Sequence, residues 1–178
     1  MKAFAVALLV VVTACGRGHA IFNIDAYSFM QGTGNDTIPY LIPPATSATA
    51  STVQKITLPP GFGSSVVDSV RITTGNANLE NTGGSGTIGF QLFFASDSAG
   101  TYTAPTALDI PATAVSGTQT VPVGITGDVS AVVDSLFRQE TVWMRIAATG
   151  TNGGATPVTG QGVLTALVIR IVIQDKVF

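Results

Sequence analysis

From Thr52 onward, apolar residues recur at every second position, the spacing of strands with one buried face. Thr87–Ala95 (TIGFQLFFA) shows it most cleanly: Ile88, Phe90, Leu92 and Phe94 fall on one side, Thr87, Gly89 and Gln91 on the other. The same period predicts a strand over Thr52–Leu58, ended by Pro59-Pro60-Gly61. Another covers Val66–Thr74, with Val66, Val70 and Ile72 sharing a face. NLENTGGSG, before Thr87, reads as a glycine-rich turn. Shorter strands are predicted near Ala107–Ile110 and over Thr118–Ile125, and Val142, Met144, Ile146 and Ala148 share a face of the next. Val163–Ile173 (VLTALVIRIVI) is the longest and most β-branched of all.

Three stretches depart from this rule. Ile21–Met30 (IFNIDAYSFM) is apolar on both parities, so it reads as a doubly covered strand or a sticky peripheral segment. Residues 31–51 combine QGTGND, PYLIPP and ATSATAS, a composition expected of a loop or linker. In DVSAVVDSLFRQ the apolar positions Val129, Val132, Val133, Leu136 and Phe137 fall at helical spacing, with Asp128 a plausible N-cap. That predicts a short helix near 128–137 whose apolar stripe plugs an open end of the core.

Strands this short, separated by Gly, Asn, Asp and Ser turns, predict an all-β antiparallel sandwich of about seven to nine strands in one domain over residues 21–178. Val66–Ala95, with its Asn81-Thr82-Gly83 turn, resembles the immunoglobulin-like domains of bacterial surface proteins. The strand–helix–strand run Val121–Ile146 resembles the small sandwich domains of the late-embryogenesis-abundant type. Both resemblances imply an immunoglobulin-like sandwich and leave function open.

Ahead of this domain, Lys2 precedes an uninterrupted apolar run, Ala3–Val12, and then Thr13-Ala14-Cys15-Gly16. Ten apolar residues are too few to span a bilayer, so residues 1–14 read as a signal segment. Val12-Thr13-Ala14-Cys15 resembles the lipobox of bacterial lipoproteins. The resemblance implies cleavage before Cys15, diacylglyceryl attachment to its sulfur, a lipidated tether over 15–20, and sorting to the outer membrane, since residue 16 is Gly rather than Asp. Several acyl chains anchor stably where one binds marginally. Two alternatives remain: Gly18-His19-Ala20 would permit ordinary cleavage and release of a secreted chain beginning at Ile21, or Cys15 is merely a small residue of the apolar run.

Composition removes more functions than it suggests. Charged residues are 10% of the chain with a net charge of −2, which supplies no footprint for nucleic acid. Cys15 is the only cysteine, so no disulfide forms within the chain. His19 is the only histidine and lies outside the sandwich, so no catalytic triad and no histidine zinc site is expected. The carboxylates Asp97, Asp109, Asp128, Asp134 and Glu140 fall near turns, where capping is the plain reading rather than acid–base chemistry. Ser96-Asp97-Ser98 and Asn78/Glu80/Asn81 offer oxygens without a calcium-loop spacing. No metal or other cofactor is expected.

Aromatic side chains remain as candidate binding residues. Trp143 shares the parity of Arg145, opposite Val142 and Met144; it either faces solvent as a stacking platform or, as expected of a lone Trp in a sandwich, lies in the core. Tyr102 and Tyr40 fall in predicted loops, where they would line a binding rim. The sequence thus points to a non-catalytic, lipid-anchored envelope protein acting by protein–protein contact, with the membrane as partner through Cys15. The alternative is a carbohydrate- or ligand-binding module. A carboxylate-only hydrolase and a small transmembrane barrel ending at Phe178 rank below these.

Overall fold

A computed structural model describes residues 18–58, 66–133 and 135–175. Residues 1–17, with Cys15 and the lipobox, lie outside the described residues, as do the Pro59-Pro60-Gly61 break, Asp134 and Phe178.

The alternating segments pair antiparallel in two sheets. Ten strands form: β1 (Gly18–Asp25), β2 (Thr37–Ile42), β3 (Thr46–Thr57), β4 (Val66–Gly83), β5 (Ser85–Ala95), β6 (Leu108–Ser116), β7 (Gln119–Gly124), β8 (Gly127–Asp128), β9 (Thr141–Asn152) and β10 (Val158–Asp175). In one sheet, here the β10 sheet, the order is β1-β10-β4-β7; β2 continues β1's row along β10, and β8 continues β7's row along β4. The other, the β9 sheet, runs β3-β9-β5-β6. The antiparallel all-β sandwich with one short helical segment is therefore what the chain adopts, its ten strands filling eight rows.

The pairs nest: β5 with β6, β4 with β7 and β8, β3 with β9, and β1 and β2 with β10. One long hairpin, folded at the β5–β6 connection and rolled across two sheets, produces this order. It is the connectivity of a jelly roll. The constant-type immunoglobulin sandwich puts its first and last strands in different sheets, so the immunoglobulin-like part of the sequence reading does not extend to the strand order.

Alternation explains the core. Val142, Met144, Ile146 and Ala148 of β9 point inward and are buried, meeting Ile88, Phe90, Leu92 and Phe94 of β5 and the inner face of β10. The crossover from β8 to β9 forms as a four-residue helix, α1 (Ser130–Val133), and a 3-10 turn at Leu136–Arg138. Its buried stripe of Val129, Val133 and Phe137 packs into the core, with the Phe137 ring edge-on to Phe94 at 5.9 Å. The Asp128 carboxylate accepts the Ser130 N–H at 2.9 Å, and the Ser130 hydroxyl exchanges hydrogen bonds with the Val70 backbone, tying the crossover to β4.

Several sequence expectations are corrected. Residues 31–51 are not a linker, because β2 and the first half of β3 lie within them. β1 begins at Gly18, inside the stretch read as tether. Ile21–Met30 is neither a long strand nor a free segment: β1 pairs with β10 from Gly18 to Asp25, a 3-10 turn follows at Tyr27–Phe29, and Ala26 and Met30 are fully buried. NLENTGGSG is mostly strand, and the break falls at Gly84, whose φ of +73° suits glycine.

Candidate functional site

Inward-facing even positions of β9 leave its odd positions on the outer surface. Trp143 is therefore not in the core. It is partly exposed, while its neighbours Val142 and Met144 are fully buried. The size of a lone Trp favoured burial, but the strand's parity is set by four smaller apolar residues. Register places Lys55, Trp143 and Ala95 in one row of the outer face, then Val53, Arg145 and Phe93 in the next.

Arg145 is the unusual member. It is only 8% exposed although it points away from the core. The β5–β6 connection makes this possible by folding back over the sheet through a 3-10 turn at Ala99–Tyr102. That turn is built locally: the Asp97 carboxylate accepts the Gly100 N–H at 2.7 Å, and the Thr101 hydroxyl donates to the Ser98 carbonyl at 2.7 Å. Asp97 is thus a turn residue, and Ser96-Asp97-Ser98 holds backbone. The turn carries the Thr101 carbonyl to the Arg145 Nε, which donates to it at 3.0 Å. It also brings Tyr102, 61% exposed, over the guanidinium.

The guanidinium carbon lies 3.8 Å from the centre of the Phe93 ring and 4.8 Å from that of Tyr102, within cation–π range of both. Burial lowers the Arg145 pKa, opposed by the Tyr102 oxygen, and the group remains charged at neutral pH. Among the described residues no carboxylate pairs with it; the ion pair there is Arg71 with Asp128, at 3.1 Å on the other sheet. Sequence reasoning missed Arg145, because its role depends on where a twelve-residue loop, 96–107, lies. The signal available was its shared parity with Trp143.

Beyond this cluster the outer face bears hydroxyls. Ser51, Ala147 and Gln91 form the next row, then Thr49, Thr149 and Gly89, then Ser47, Thr151 and Thr87, with the last two hydroxyls 2.7 Å apart.

Of the three sequence candidates, the structure puts Tyr102 and Trp143 on one face and removes Tyr40. Tyr40 lies in β2, 8% exposed, with its hydroxyl 3.3 Å from the Asn81 Oδ1. Burial, and then the negative charge of Glu80, raise its pKa. It is a core residue rather than part of a rim. Asn81 donates to the carbonyls of Gly83, Gly84 and Gly117, so it serves as a turn brace, not a cation ligand. Among the described residues no group of three or more His, Cys, Asp or Glu could hold a metal ion.

A second polar feature lies on the β10 sheet. Arg71 and Arg170 are cross-strand neighbours, and with Ser69, Thr73 and Val172 they line an open groove of about 330 Å³.

No protein-family model matches the chain, and no curated protein sequence matches it. Among solved structures it is similar to the infectious bursal disease virus Gx strain, with a TM-score of 0.42 and 11% identity over 90% of this chain and 33% of that one. It is similar to PirA at a TM-score of 0.37 and 15% identity, over 72% of this chain and 93% of that one. A third likeness is to TmCBM61 in complex with β-1,4-galactotriose, with a TM-score of 0.28 and 9% identity over 90% of each chain. The chain spans about a third of the first of these structures. At such scores the fold assignment rests on the strand order itself, and these neighbours say nothing of function.

Proposed function

We propose that this protein is a non-catalytic envelope protein, held at a membrane by lipid on Cys15, that acts by binding through the outer face of the β9 sheet. The observation that carries the binding reading is Arg145: a largely covered charged residue without a carboxylate partner among the described residues, beside a partly exposed Trp143 and an exposed Tyr102. Buried charges are ordinarily paired, and exposed aromatics gathered at one spot of a sheet face suit recognition.

The anchor rests on Val12-Thr13-Ala14-Cys15. β1 is described from Gly18, three positions after Cys15 in the sequence, so a lipidated chain would hold the sandwich close to the bilayer. Gly18 pairs with Asp175 and Val66 with Gln174, at the end of the sandwich to which Thr57 and Thr141 also belong. Trp143 and Arg145 follow Thr141 directly, so the cluster rises from the anchored end. Within Ile21–Met30, β1 is paired with β10 through Asp25, so that part belongs to the sheet rather than to a free strand.

Fractionation of cells expressing Cys15→Ala tests the anchor. The variant is expected to leave the membrane fraction and to melt at the wild-type temperature, because Cys15 precedes the folded strands. Membrane retention equal to that of wild type would refute lipid attachment.

A further inference from the structure

The chemistry of the cluster narrows what it binds. Arg145 Nε is occupied by the Thr101 carbonyl, and the plane of the guanidinium is held by Phe93 and Tyr102. Neither Nη atom has a hydrogen-bond partner among the described residues, and no enclosed side-chain nitrogen there is left unpartnered. Both Nη atoms therefore keep some contact with solvent. A planar guanidinium with its orientation fixed and its outer nitrogens open is a fork for two oxygens of one oxyanion.

Trp143 lies two residues away on the same face, about 7 Å along the strand. That is about the reach of one pyranose unit, whose apolar face stacks on indole while a carboxylate projects from its rim. The surface continues past Ser51 and Thr149 to Thr151 and Thr87, a track of hydroxyls. Such a track suits a chain of sugar hydroxyls better than a peptide, whose side chains need recesses.

We infer that this face binds an acidic polysaccharide, with a uronate carboxylate accepting from both Nη atoms of Arg145 and its ring lying on Trp143. This deepens the binding reading above and rests on it. The Arg71–Arg170 groove is the rival anion site on the molecule, but its Arg71 is already paired with Asp128 and is 63% exposed.

Trp143 is the only tryptophan of the chain, so its fluorescence reports on this face alone. The full chain is titrated with trimers of galacturonate, glucuronate and guluronate, and with the methyl ester of trigalacturonate. A saturable change with at least one acid is expected, weakened about tenfold or more by esterification or by Arg145→Gln, since a hydrogen bond to a charged group contributes about that much. Arg170→Gln should bind as wild type does. Because Arg145→Gln also releases Thr101, Arg145→Lys is measured beside it; it keeps the charge over Phe93, loses the fork, and is expected to weaken binding by a similar factor.

No response to any of the acids would overturn the inference. So would equal affinity for acid and ester, or binding lost in Arg170→Gln and kept in Arg145→Gln. Tighter binding of a glutamate hexapeptide than of any uronate would overturn the ligand class. If a neutral trisaccharide quenches Trp143 as well as the acids do, the binding module stands and the acidic ligand falls. The lipid anchor is decided separately, by Cys15.

Discussion

Replacing Phe137 with alanine tests whether the crossover between β8 and β9 closes the sandwich or merely spans it. The Phe137 side chain is fully buried, and its ring stands at 61° to that of Phe94, itself 2% exposed. Removing a fully buried Phe costs about 3–5 kcal/mol in transfer and cavity terms. The edge-on pair adds about 0.5–1.5 kcal/mol beyond area burial, which places the expectation in the upper part of that range. For a domain of this size, about 4 kcal/mol corresponds to a fall in melting temperature of about 8–16 °C. Guanidinium unfolding followed by circular dichroism should show a lower midpoint at an unchanged slope. Arg138, exposed one residue later, is the control, and Arg138→Ala should stay within about 0.5 kcal/mol of wild type. A Phe137→Ala loss below about 1 kcal/mol would refute the claim that the crossover is part of the core.

Other expectations follow from the same geometry. Met144→Ala should cost about 2–5 kcal/mol and Trp143→Ala less than half as much, because the first faces the core and the second does not; equal losses in chemical denaturation would contradict the parity of β9. Hydrogen bonds from the Ser130 side chain and backbone, with Arg71 beside them, hold the Asp128 carboxyl below its ordinary 3.8. A depressed folded pKa stabilises at pH above the ordinary carboxylate value and ceases to do so as pH falls through the folded one, so Asp128→Asn should flatten the acid side of a melting-temperature profile. An unchanged acid limb would count against that pairing. Gly84 has a φ of +73° and a Cβ there would run into the Pro157 carbonyl, whereas Gly117, at +61°, has open space. Gly84→Ala should therefore destabilise well beyond Gly117→Ala, which carries only the left-handed backbone cost of about 1–2 kcal/mol; equal melting temperatures would contradict the close approach.

Much of the sandwich was legible because burial on one face writes itself as alternation. β5 was visible at nearly its full length and β10 over Val163–Ile173 of Val158–Asp175, and Val129, Val133 and Phe137 announced the crossover by their helical spacing. β2 and the start of β3 were hidden because each is an edge strand. Pro39 costs little where only one side is paired, and Thr46–Ser51 buries no large side chain inward. Asn81 disguised the end of β4: it looks like a turn residue, yet it is 2% exposed and satisfies the carbonyls of the turn that follows.

The candidate site was only half legible. Tyr102 and Trp143 could be named as exposed-aromatic candidates, but the outward parity of Trp143 required the register of β9 against β3 and β5. Tyr40 went astray with β2, because a tyrosine between prolines reads as loop until pairing with Gly160 turns it inward. Arg145 depends on a loop returning over the sheet, which no periodicity encodes.

The intact mass of the protein extracted from membranes tests the account at its root. Lipid attachment predicts a chain of residues 15–178 carrying a diacylglyceryl group and an amide-linked acyl chain. An unmodified chain beginning at Ile21 would contradict it.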